Sequence, residues 1–213
     1  MKKSTVFFLL LAFLMCAGCS RVPPVRIAEN EITSVSLDII YTVDSAYEDA
    51  DLVALIRVGT WLGEAEENYI TYFEARTEKI FKGDAPEKIV LIQDGKSDNT
   101  IQGYPLFIAG NELLVFLKTA EDEEYENAFR IEGSYTTFFD AVRSGKDLYY
   151  LDRYGIIGDG VSACSDLFFD AELSGKLYAA LEKQDPLAKD RRYHFIYSAE
   201  QMDAYLERLK SGE

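Results

Sequence analysis

Apolar and polar residues alternate most clearly between Tyr69 and Phe81, where Phe73, Ala75 and Thr77 interleave with Glu74, Arg76 and Glu78. A period of two places one set on a buried face and the other in water, which predicts a strand. Leu52–Leu62, Lys88–Gln93, Glu112–Lys118, Ala128–Glu132 and Asp147–Leu151 are further apolar or β-rich runs. Gly133–Val142 reads as extended chain, and 35–43 as a strand or the start of a helix. The runs are separated by turn chemistry at 63–68, at Lys82-Gly83-Asp84-Ala85-Pro86, at Gly110-Asn111 and at Ser144-Gly145-Lys146. Asp94–Tyr104 is polar and Gly-rich and reads as a loop, and Glu121–Glu126 reads as an acidic hairpin tip. Short strands at this spacing predict a β-barrel or sandwich.

Helical spacing enters in two places. Asp44-Ser45 predicts the cap of a short helix running to about Asp51. In the last third, Phe169, Leu173, Leu177 and Leu181 recur at helical intervals, with Gly175 as an interruption. The strongest helix is Ser198–Lys210: Met202, Tyr205, Leu206 and Leu209 share one face. Ser198 with Gln201 makes a capping box, and Gly212 stands where a C-cap belongs. The expected fold class is mainly β with C-terminal helices (α+β). The expected domain boundaries are a barrel domain over 35–155 and a helical extension over 156–213, packed on the barrel or covering one open end.

The first residues have a different logic. Lys2 and Lys3 precede Val6–Met15, an apolar run of about ten residues, where a bilayer-spanning helix needs roughly 20. A basic start, a short apolar stretch and small residues form a secretory signal pattern over 1–18. Ala17 and Gly18 stand directly before Cys19, which resembles the lipobox of bacterial lipoproteins, with Cys16 where that family has leucine. The resemblance implies cleavage before Cys19 and lipidation of its thiol and amine; plain cleavage with secretion is the alternative. Two or more acyl chains anchor durably where one does not. Residues 19–34, with Pro23-Pro24 and mixed charges, then read as a lipidated N-terminus and spacer on an extracytoplasmic membrane face.

Charge narrows the partners. The 213-residue chain carries −15, and loss of Lys2 and Lys3 makes it −17. Nucleic-acid binding rests on cations that displace counterions, so nucleic acid is not an expected partner. A repelling anionic surface also suits a standoff spacer. The 14 Tyr and 13 Phe supply material for a sizeable core. With Cys16 and Cys19 accounted for, Cys164 is left alone, and an intramolecular disulfide has no second partner.

The strand-and-turn pattern also resembles a family. It runs Asp51-Leu-Val-Ala-Leu-Ile-Arg-Val-Gly59, then Glu74-Ala-Arg-Thr-Glu-Lys-Ile-Phe-Lys-Gly83, Lys88-Ile-Val-Leu-Ile92, and Ala109-Gly-Asn-Glu-Leu-Leu-Val-Phe-Leu-Lys118. This is similar, over about 45–140, to bacterial lipoprotein domains with a five-stranded OB-like barrel of the netrin and metalloproteinase-inhibitor kind. Such inhibitors chelate the target's zinc through a free N-terminal cysteine amine, a route that lipidation of Cys19 would block. Fold does not carry function.

Candidate chemistry is sparse. Cys164 and His194 are the pair that nucleophilic catalysis would require, without a local signature. Asp94–Asn99 fails the EF-hand pattern, with Lys96 at its third position and Asn99 at its sixth. Asp122-Glu123-Glu124 reads as a solvated tip, and Lys82-Gly83-Asp84 as a turn that happens to match an adhesive tripeptide. No phosphate loop, His-rich cluster or Gly-x-Ser-x-Gly elbow is present, so no catalytic set, metal or cofactor is expected. Trp61, Tyr69 and Tyr72 are the candidate binding residues, as an aromatic platform for a sugar or peptide; burial in the core is their ordinary use. The expected function is a lipid-anchored interaction module that binds an envelope protein or glycan. An envelope hydrolase with paired carboxylates and a loop-based protease inhibitor are the alternatives.

Overall fold

The computed structural model describes residues 32–33, 41–65, 67–101, 104–122, 124–133, 137–152, 171–185 and 195–212. The strands are β1 (Ile32–Thr33), β2 (Leu52–Ala65), β3 (Ile70–Lys82), β4 (Lys88–Asp94), β5 (Thr100–Ile101), β6 (Glu112–Thr119), β7 (Ala128–Ile131), β8 (Phe138–Ser144), β9 (Asp147–Asp152) and β10 (Phe195–Ser198). The helices are α1 (Val43–Asp49), α2 (Ala171–Gln184) and α3 (Ala199–Ser211).

Eight strands form one sheet in the order β10-β9-β8-β6-β2-β3-β4-β7, and β7 pairs again with β6. That second pairing closes β2-β3-β4-β7-β6 into a five-stranded barrel. Numbered along the chain, the barrel order is first, second, third, fifth, fourth, with β4 and β7 parallel. This is the expected OB-like barrel. β6 shares one edge between two partners: Glu112–Val115 pair with β8, and Leu117–Thr119 with β7. The sheet therefore continues beyond the barrel into an extension, β8-β9-β10. Repeated register shifts between β2 and β3 supply the bends that closure requires.

β2 is buried on both faces, which explains its unbroken apolar start. Leu52, Ala54, Ile56 and Val58 point into the barrel beside Phe73, Leu91 and Leu113. Val53 and Leu55 point outward, under α1 and α3. α3 lays Met202 and Leu206 on that outer face, with Phe139, Tyr150 and Tyr197 of the extension beneath. α2 covers the other face of the extension, where Leu177 and Leu181 meet Val142, Leu151 and Ile196. Each such fully buried leucine or phenylalanine contributes about 1.5–3 kcal/mol relative to exposure.

The barrel interior also takes Tyr104, Leu106 and Phe107 from the connection before β6, and the Phe107 ring meets Tyr104 and Phe138 edge-on. Buried Gln93 holds this connection: its amide donates to the Pro105 carbonyl at 3.0 Å and accepts from Phe107 N at 2.8 Å. The helices thus lie on sheet faces, and an aromatic segment fills the barrel.

Several sequence expectations shift. The α1 cap is Thr42, not Asp44-Ser45; Ser45 is its capping-box partner. β2 runs through Ala65, so the turn before β3 is confined to 67–69 among the described residues. The loop over 94–104 contains β5, which pairs in parallel with β1. The strand expected over Asp147–Leu151 is followed by one the sequence did not announce, β10, which pairs with β9. The α3 expectation holds in detail: Ser198 caps it through Gln201, and Gly212 ends it in the left-handed region at φ 73°. Residues 1–31, including Cys16 and Cys19, lie outside the described residues, as do Cys164 and His194.

Candidate functional site

OB barrels bind ligands on the face of their second and third strands, flanked by the loops between strands one and two and strands four and five. In this chain that face belongs to β3 and β4, and the loops are the turn 67–69 and the stretch 120–127. The outer faces of β3 and β4 gather Ile70, Tyr72 and Ile92 with Ala128 of β7 into a small buried cluster. Leu62, Ala65, Val90, Ala120 and Tyr125 pack around it, each half-buried. Neither α1 nor α3 contributes to this cluster.

Among the described residues of the stretch 120–127, the bonds converge on Asp122. One carboxylate oxygen accepts from Glu124 N at 2.9 Å and Tyr125 N at 3.0 Å, an Asx-type turn. The other accepts from the Tyr72 hydroxyl at 2.8 Å. The loop base is closed by Ala120 N to Ala128 O at 2.9 Å, and Asn127 turns the chain with φ 54°. Asparagine tolerates that region better than most residues. The Tyr125 ring rests on Tyr72, centroids 4.8 Å apart and tilted by 42°. Ala120, Glu121, Asp122, Tyr125, Glu126 and Asn127 line an open depression of about 670 Å³.

The electrostatics are settled by these bonds. Burial alone would raise the Asp122 carboxyl; the donors from Glu124, Tyr72 and Tyr125, with the Arg130 charge, outweigh it and hold the group below the ordinary carboxylate range. Asp122 is therefore a charged, positioned acceptor at neutral pH. Burial first, and then the bond to Asp122, push the Tyr72 phenol up to about 12. Arg130 is turned toward Asp94 at 3.7 Å.

The three aromatic residues singled out from sequence do not form one platform. Trp61 packs with the inner cluster that holds Phe73, and its indole N–H is buried without a partner. Tyr72 lies on the opposite side of β3 and is 6 % exposed. Tyr69 is 58 % exposed, at the end of the turn, with φ 52°. Gly95 N donates to its carbonyl at 2.7 Å, and the Lys96 ammonium lies 5.7 Å from its ring centre. Tyr72 meets Tyr125 and Asp122, two residues that the sequence reading assigned to a solvated tip. An aspartate three residues before an aromatic in a hairpin loop is the signal that could have found them.

Other motifs have structural employment. In Lys82-Gly83-Asp84, the lysine ammonium caps α1 by donating to the carbonyls of Tyr47 and Glu48 at 2.6 and 2.8 Å. The Asp94–Asn99 loop is pinned to β2, where Glu64 accepts from Ser97 N at 2.9 Å and its hydroxyl at 3.2 Å. Among the described residues, no three His, Cys, Asp or Glu side chains converge as metal ligands. No described helix is long and apolar enough to cross a membrane. Compared with protein-family models and with curated proteins, the chain matches none.

Proposed function

We propose that this chain is a non-enzymatic binding module of the cell envelope, anchored by lipid on Cys19 at an extracytoplasmic membrane face and engaging an envelope protein or glycan through the β3–β4 side of its barrel. The observation that carries the reading is the preformed face itself: the half-buried Tyr125 ring resting on buried Tyr72, the Asp122 carboxylate fixed by three donors, and the adjoining depression. Binding sites in general combine apolar walls with a few positioned polar groups.

The tether fits this arrangement. The lipobox-like Ala17-Gly18-Cys19 supports cleavage and acylation there. From Cys19 to Ile32 is a stretch that spans at most about 45 Å when extended. Ile32–Thr33 then pair with β5, in the connection between β4 and β6. The netrin-like resemblance belongs to this reading as a likeness of strand pattern, and zinc chelation by a free N-terminal amine is incompatible with acylation of that amine.

The test is cross-linking in intact cells. Tagged full-length protein is purified after cross-linking, with Cys19→Ser as the untethered control, and both are assayed for acyl labelling. The reading expects acylation and an abundant co-purifying component, both lost in Cys19→Ser. Absence of acylation refutes the anchor; turnover abolished by substituting His194 or Cys164 refutes the non-enzymatic assignment.

A further inference from the structure

We draw no further inference here: the strongest candidate, the side-chain cluster on the outer face of β2, β6 and β8 in which half-exposed Arg57 and Arg143 close on the buried Glu112 carboxylate at 2.6 and 3.1 Å, has its charges met by one another and by Glu78, and nothing among the described residues around it points to a ligand.

Discussion

Replacing Gly83 with alanine should destabilise the barrel far more than replacing Gly145, although both glycines occupy the left-handed region. Their φ angles are 80° and 65°. An L-residue there costs roughly 1–2 kcal/mol from backbone sterics alone. At Gly145 nothing lies within 4 Å of the added Cβ, so that cost is the whole effect. At Gly83 the Cβ would stand 2.1 Å from the Asp51 carbonyl oxygen. That atom cannot simply give way, because Asp51 is held at both ends. Asp51 N donates to the Leu117 carbonyl at 2.8 Å, and its carboxylate accepts from Thr119 N at 2.9 Å. Moving it disturbs the junction of α1, β2 and β6, adding loss of a charge-assisted hydrogen bond, about 1.5–3 kcal/mol. The expected totals are about 1–2 kcal/mol for Gly145→Ala and at least about 3 kcal/mol for Gly83→Ala. Paired urea unfolding curves measure both from their midpoints, provided the slopes agree. Equal midpoints for the two variants would refute the close approach of Gly83 to Asp51.

Lys82→Met keeps the aliphatic stem but leaves the α1 carbonyls without their cation, and should cost about 1 kcal/mol in urea unfolding. Tyr72→Phe deletes the bond to Asp122; the Asp122 carboxyl should then titrate closer to the ordinary range by NMR, and amides over 120–127 should exchange faster while core strands do not. Stability should fall in acid and in strong alkali. Asp51, held low chiefly by the Thr119 amide, and Asp122 contribute above the ordinary carboxylate range and lose that contribution as pH falls through their lowered folded values. Tyr41 and Tyr72, raised from 10.0 to about 12 mainly by burial, contribute fully below the ordinary value and lose it as pH rises toward 12. Denaturation midpoints across pH check both limbs.

β3 was legible because burial on one face leaves a period of two, as in Phe73-Glu74-Ala75-Arg76, whereas β2 and β6, buried on both faces, were legible as unbroken apolar runs. α3 was legible to within a residue at each end because its capping box and αL glycine are local chemistry. What escaped depends on distant partners. β10 is four residues long and exists by pairing with β9, more than forty residues upstream in sequence. The fill of the barrel by Tyr104 and Phe107 rests on Gln93, a polar residue whose burial no local pattern announces. The site divides the same way. Tyr72 was singled out, but its companions come from a loop whose acidity read as solvation. Trp61 looked equivalent to Tyr72, and pairing opposite Phe73 turned it to the inner side.

The central claim, that the β3–β4 face is where the anchored chain meets its partner, is tested most directly by position-resolved photocross-linking in living cells. A photoreactive residue is placed in turn at Tyr125, at Tyr69 beside the face, and at Glu182 on α2, remote from it. The account predicts an adduct from Tyr125, a weaker one or none from Tyr69, and none from Glu182, with all adducts lost in Cys19→Ser. A partner captured from Glu182 and not from Tyr125 would contradict it.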